Sequence, residues 1–231
     1  MLRLYIGDKN YSTWSMRPWL VLQHFEIPFQ EQLIPFDDFQ LDSPFKQKIL
    51  QINPTGKVPV LVDDDGAGNS IVVWDTLAIC EYLVEKFPEK HLYPMDFQQR
   101  VRARCITAEM HSGFMTLRST CEMNLDAKLH EVGAHLWQKH VTLRAEVSRI
   151  EQIWQQRPQL NGFLCGDHFT IADGFYAPVV MRFLGYGLPV SKDSQQYMQQ
   201  ILAVPTVQQW IEEAQAEFRF VTCEEPYRKQ T

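Results

Sequence analysis

Nowhere does the 231-residue chain approach the ~20 consecutive apolar residues that a membrane-spanning helix needs. Like charges never run beyond the three aspartates Asp63–Asp65, and the formal net charge is −6. That balance argues against nucleic acid and against an anionic membrane surface as partners. The five cysteines (Cys80, Cys105, Cys121, Cys165 and Cys223) are odd in number and form no Cys-x-x-Cys. They read as reduced thiols of a cytoplasmic protein, mostly small core residues, and not as a disulfide framework. A zinc signature is missing too. His130, His135 and His140 recur every five residues, which spreads them around a helix instead of aligning them as i, i+4 ligands. No metal is expected. Internal repeats and low-complexity segments are also absent. Met1–Ile6 is too short and too quickly polar for a secretory signal, so the Asn10-Tyr11-Ser12 sequon has no expected role.

Hydrophobic residues at 45% and charged residues at 22% are ordinary for a globular protein, and the length suits one large domain or two average ones. The most informative stretch runs from Asn53 to Phe87. Pro59 opens an apolar run (Val60, Leu61, Val62), and a proline without an N–H belongs at a strand's start or edge. The rarity of cis X–Pro bonds favours trans for Val58–Pro59 on sequence grounds alone. Val60–Val62 and Ile71–Trp74 flank an Asp/Gly/Asn loop and read as a hairpin. Asp75-Thr76 then begins a helix with Ile79, Leu83 and Phe87 on one stripe, and Pro88 stops it. A strand handing over to a helix at Asp-Thr gathers a carboxylate, a hydroxyl and free backbone N–H groups, a point that attracts an anion.

Before this stretch, Leu2, Leu4 and Ile6 alternate with Arg3 and Tyr5 as a short strand, and Gly7–Trp14 is a polar loop. Ser15 can cap a helix that tolerates Pro18 in its first turn and buries Trp19, Leu20, Leu22 and Phe25. Phe29–Ile34 is a second strand, completing a βαβ unit. Asp37–Ile52 is irregular, with a helical turn or two over Phe45–Leu50. The order β-α-β, a loose helical link, then β-β-α is that of a thioredoxin-like domain. Past Pro88 the composition changes and strands disappear. Phe97–Met123 and Leu125–Trp154 are helical patterns, and Phe163–His168 is a turn segment. Thr170–Asp173 reads as a capping box ahead of Phe175–Leu184, and Val204-Pro205 starts a last helix through Phe218. The fold class is an α/β thioredoxin-like N-terminal domain followed by an all-α C-terminal domain.

Val58-Pro59 and Asp75-Thr76-Leu77-Ala78-Ile79 at this spacing, together with the Thr170–Asp173 box, resemble the cytosolic glutathione S-transferase superfamily over nearly the whole chain. Tyr11–Trp19 and the segment Glu109–Arg118 resemble a bacterial branch nearest the serine-using theta and zeta classes. The resemblance implies residues 1–87 as a glutathione-binding domain, 88–95 as a linker and 96–231 as a helical domain carrying the second-substrate site. It further implies a cis-Pro59 whose neighbour Val58 pairs with the cysteinyl backbone of glutathione. Asp75 and Thr76 would hold the γ-glutamyl end, the Thr76 hydroxyl and N–H taking its carboxylate, and Lys57 would approach the glycyl carboxylate. Ser12 matches the activating serine, with Thr13 and Ser15 as rivals. Two departures stand out: Trp14 occupies the position where the zeta class often has cysteine, and Asp75 has a shorter reach than the common Glu or Gln.

Thiolate, not thiol, is the nucleophile, and a free thiol has a pKa of about 8.5. Lowering it by ~2 units takes about 2.7 kcal/mol, within reach of one charge-assisted hydrogen bond plus the positive end of the first helix. The implied activity is transfer of a small apolar electrophile to glutathione by a homodimer, with glutathione as co-substrate. Tyr11, Trp14, His111 and Arg118 are candidates for the second-substrate pocket, although a lone helical histidine is more often structural. Arg17, in the first helix turn, either ties the two domains or faces water, and water is the expectation. A glutathione-dependent cis–trans isomerase of the maleylacetoacetate type and a non-catalytic binding module are the alternatives. A dicarboxylate substrate would need cationic partners, which makes the placement of Arg17 and Arg118 decisive.

Overall fold

The computed structural model describes residues 1–217 and 219–229. Strands β1 (Leu2–Ile6), β2 (Phe29–Leu33), β3 (Val60–Asp64) and β4 (Ser70–Trp74) form one sheet in the order β2-β1-β3-β4. β1 runs parallel to β2 and antiparallel to β3, and β3 pairs antiparallel with β4. Helices α1 (Thr13–His24), α2 (Pro44–Leu50) and α3 (Thr76–Lys86) complete this half. The strict alternation of β1 sends Leu2, Leu4 and Ile6 into the core that α1 and α3 cover. Val60 and Val62 face the opposite way, onto a smaller core with Phe45 and Ile49 of α2.

The remainder is helical: α4 (Phe97–Ser112), α5 (Met115–Thr120), α6 (His130–Lys139), α7 (Val141–Gln155), α8 (Ile171–Tyr186), α9 (Lys192–Leu202) and α10 (Pro205–Glu217). α8 is apolar nearly all round and packs against α1 and α4, which fits the centre of a helical layer. Gly133 lets α6 lie against its end, because a Cβ there would fall 1.8 Å from the Tyr186 carbonyl oxygen. Among the described residues no helix is long and apolar enough to cross a membrane.

Several boundaries differ from the sequence reading. The pattern 97–123 is two helices, broken where Gly113 leaves the helix and Phe114 adopts φ +55°. Residues 125–129 are not helical, since the Asn10 and Asn124 side chains take the backbone N–H groups of Leu125, Asp126 and Ala127. α9 was not expected from the sequence. The expected end of the last helix at Phe218 lies outside the described residues. Residues 219–229 return across the junction of the two halves. There the Tyr11 hydroxyl donates to Glu225 at 2.8 Å, and Asn124 and Arg228 donate to the same carboxylate.

Candidate active site

Helix α1 begins three residues earlier than a cap at Ser15 would set it. Ser12 is the N-cap residue, and Ser15 lies inside the first turn, fully buried. The Ser12 hydroxyl donates to Ser15 Oγ at 2.7 Å, and the Gly7 N–H donates to the same oxygen at 3.2 Å. Ser15 is therefore a buried acceptor and not a cap. Pro18 falls in the helix interior, where its missing N–H would leave the Trp14 carbonyl without a partner. The Thr76 hydroxyl, from the start of α3, donates to that carbonyl at 3.0 Å. A sequence feature that reads as a defect in α1 thus becomes the tie between α1 and α3.

The Thr76 hydroxyl proton is thus given to Trp14, and its backbone N–H stands at the start of α3. Thr76→Val is expected to lower unfolding free energy by about 1–2 kcal/mol, the cost of a buried carbonyl left unpaired. Thr76→Ser should retain wild-type stability. Denaturant midpoints of the two variants decide this, and equal losses in both would refute it.

Asp75, the N-cap of α3, has φ +77°, a backbone conformation that costs a non-glycine residue of order 1–3 kcal/mol and often marks functional corners. One carboxylate oxygen accepts the N–H groups of Leu77 at 2.8 Å and Ala78 at 3.3 Å. The other stands 3.4 Å from His111 Nε2 of α4. Strand β4 has just ended at Trp74, so this strained residue turns its free oxygen outward between the two halves. The Val58–Pro59 peptide bond is cis.

A first cavity, of about 560 Å³, is lined by Lys9, Trp19, Glu31 and Glu213, and a second, of about 530 Å³, by Trp14, Lys57, Val58, Pro59, Asp75, Thr76, His111 and Arg118. The first lies apart, and in it the Lys9 ammonium is already bound to Glu31 and Glu213. In the second, one carboxylate, one lysine and one arginine face each other across a helix N-terminus, the arrangement that suits an elongated ligand bearing both signs of charge. A smaller recess of about 220 Å³ shares Trp14, Val58 and Arg118 with it and is lined further by Tyr11, Ser12, Thr13, Glu122, Arg182 and Glu224. Burial pushes the Glu224 carboxyl up to about 7, with Glu122 adding to the effect, and raises Glu122 as well.

The structure brings together Lys57, Val58, Pro59, Asp75, Thr76, Trp14, His111 and Arg118, and places Ser12 and Tyr11 in the adjoining recess. Tyr11 does not roof the site with a free hydroxyl. Its oxygen is bound to Glu225 and to the Arg219 carbonyl, and burial with the Glu225 bond pushes it up to about 12. Arg17 does not face water: it is 1% exposed and donates to the Phe175 carbonyl of α8 at 3.2 Å. Its guanidinium lies 4.3 Å from the Trp14 ring centre, and that of Arg118 lies 4.6 Å from it. Trp74, Thr55, Arg182, Glu122 and Glu224 also line these spaces without having been singled out. Arg182 had a signal, a lone charge inside the apolar run 175–186; the two glutamates had none.

Residues 11–86 match the family model for the glutathione S-transferase N-terminal domain, and residues 138–213 match that for its C-terminal domain. The chain is 28% identical over 193 residues to glutathione S-transferase 1 of Dianthus caryophyllus, covering 83% of this chain and 81% of the relative. It is 27% identical over 188 residues to a protein of Caenorhabditis elegans named probable maleylacetoacetate isomerase, covering 81% of each. A glutathione transferase homologue from Burkholderia, solved with bound glutathione, superposes with a TM-score of 0.64 at 23% identity, over 93% of this chain and 98% of that one. The four-stranded mixed sheet, the helical second half and the match of both halves to one family lead to a single assignment: the chain belongs to the glutathione S-transferase superfamily.

Proposed function

We propose that the protein is a glutathione transferase that binds the tripeptide in the 530 Å³ cavity and ionises its thiol for attack on a small apolar electrophile. The observation that carries this reading is the convergence of charge in that cavity. Glutathione has two carboxylates and one ammonium. Asp75 complements the ammonium, the Thr76 N–H and the helix start complement the γ-glutamyl carboxylate, and Lys57 complements the glycyl carboxylate. The Val58 backbone, beside the cis proline, is the edge along which an extended peptide lies. On this reading residues 1–87 carry the glutathione site, 88–95 are the linker, and the helices of 96–231 supply the wall for the second substrate.

Ser12 lines the recess beyond Val58, where the cysteinyl side chain points. When sulfur arrives, its hydroxyl turns from Ser15 to donate to the thiolate. Attack then forms the sulfur–carbon bond while the leaving group departs with its electron pair and the thiol proton passes to water. Ser12→Ala is expected to lower kcat with chlorodinitrobenzene at least tenfold, with little change in glutathione affinity, because the hydroxyl acts on ionisation and not on binding. An unchanged pH–rate profile in this variant would remove Ser12 from the mechanism.

A glutathione-dependent cis–trans isomerase is the second reading. It is favoured by Arg118 on the wall of both spaces and by the likeness to the Caenorhabditis elegans protein. Assay with a maleyl dicarboxylate separates the two, since isomerisation leaves the glutathione concentration unchanged. A cytoplasmic location fits the five unpaired cysteines. A second copy of the chain is the partner that would cover the exposed Met95, Phe97 and Val101 around the start of α4.

A further inference from the structure

Three arginines converge beside the recess, and among the described residues none of them forms an ion pair: Arg17 from α1, Arg118 from α5 and Arg182 from α8. Their hydrogen bonds go to backbone carbonyls. Arg17 donates to Thr13 and Phe175, Arg118 to His111 and Gly113, and Arg182 to Arg118 and Cys121. Arg182 is 6% exposed, and its Nε is buried with no partner. Carbonyl bonds satisfy N–H groups but leave the charge uncompensated, which is costly in a buried setting unless an anion is to be met there. The mutual repulsion is visible in Arg17, which burial, Arg182 and Arg118 together hold well below the usual guanidinium range.

Nearby negative charge does not cancel this cluster. Glu146 offsets part of the Arg118 charge from a distance but pairs with none of the three, its oxygens accepting the N–H groups of Thr116 and Leu117. Glu122 and Glu224 share the recess without forming an ion pair with any of the three, and burial raises the Glu122 carboxyl and pushes that of Glu224 up to about 7. Arg118 is the member of the cluster that lines both the main cavity and the recess, together with Trp14 and Val58. That shared edge is where a cysteinyl side chain paired at Val58 crosses toward Ser12. The indole of Trp14, against which Arg17 and Arg118 both lie, fixes the guanidinium there.

We propose that Arg118, with Arg17 and Arg182 behind it, is a further catalytic group that holds the bound cysteinyl sulfur as thiolate, separately from the Ser12 hydroxyl. The assignment rests on the glutathione reading of the cavity. In the step concerned the S–H bond breaks, its proton goes to water, and the electron pair stays on sulfur against the guanidinium charge.

The test is an ultraviolet titration of the thiolate of bound glutathione on the whole protein, with S-methylglutathione as the blank. Wild type should titrate at least about one unit below the free-thiol value of about 8.5. Arg118→Gln should raise the bound value by about one unit, a tenfold loss of thiolate at neutral pH, while Arg118→Lys keeps most of the depression. The Ser12→Ala shift should add to that of Arg118→Gln. An Arg118 that served only to hold the α4–α5 corner would alter stability and KM without moving this titration. A wild-type thiol that ionises at its free value overturns the proposal without need of any variant. So does an Arg118→Gln protein that binds glutathione and titrates like wild type. Failure of the wild type to take up glutathione at all overturns the transferase reading instead.

Discussion

Replacing Asp173 by alanine is expected to lower the free energy of unfolding by about 4 kcal/mol, seen as a fall in melting temperature of about 10 °C for a chain of this size. The carboxylate is fully buried at the start of α8 and accepts four hydrogen bonds. Leu164 N–H and the Tyr197 hydroxyl reach one oxygen at 2.9 and 3.1 Å, and the Thr170 N–H and hydroxyl reach the other at 2.9 and 3.0 Å. A single side chain therefore pins the loop before α8, the cap of α8 and the body of α9. Alanine leaves these donors buried with no acceptor, each at a cost of about 1–3 kcal/mol before relaxation. Burial pushes the Asp173 carboxyl up to about 6 against an ordinary value of 3.8, even with these donors. A folded-state value above the ordinary one means that its contribution is complete below about pH 4 and is lost as pH rises through about 6. Asp173→Asn should thus flatten the stability–pH curve within that window. Denaturant melts at several pH values check both statements. A variant as pH-dependent as wild type between pH 4 and 6, or an alanine variant within about 1 kcal/mol of wild type, would contradict them.

Asp75→Asn is expected to weaken glutathione binding about thirtyfold while leaving the fold intact. Asparagine caps a helix as well as aspartate and tolerates the positive φ of +77° that this corner imposes. The substitution removes only the charge on the oxygen that faces the cavity. A charge-assisted hydrogen bond to the ligand ammonium is worth about 2 kcal/mol, and each 1.4 kcal/mol is about a factor of ten in affinity. Asp75→Ala should bind as poorly and also lose about 1 kcal/mol of stability with the cap. Calorimetry with glutathione, paired with a urea melt, separates the two effects. Affinity within threefold of wild type in Asp75→Asn would take Asp75 out of the ligand set.

The sheet and its helices were legible because their signals are local. Leu2, Leu4 and Ile6 alternate, two β-branched runs flank a Gly/Asp loop, and Ile79 and Leu83 share a helical stripe; each pattern is set by backbone period and burial alone. The Thr170–Asp173 box was legible for the same reason. Breaks inside the long helical patterns were not. Gly113 and Phe114 divide one pattern, and the segment 125–129 is held open by Asn10, more than a hundred residues away. No local propensity reports such a partner. The amphipathic face of α9 and its Ser191 cap are local signals of the same kind.

By itself the sequence determined the family, the order of elements and the corner at Asp75–Thr76, because strand–turn–helix chemistry needs residue types at fixed short spacings. Tertiary structure decided what those groups are free to do. Pro18 strips one N–H from α1, and the Thr76 hydroxyl is drawn into that gap. Arg17, expected in water, is enclosed against α8, and with Arg118 and Arg182 it gathers positive charge from three helices at one point. Whether a charge is solvated or enclosed depends on which distant surfaces close over it, and only the packed chain fixes that.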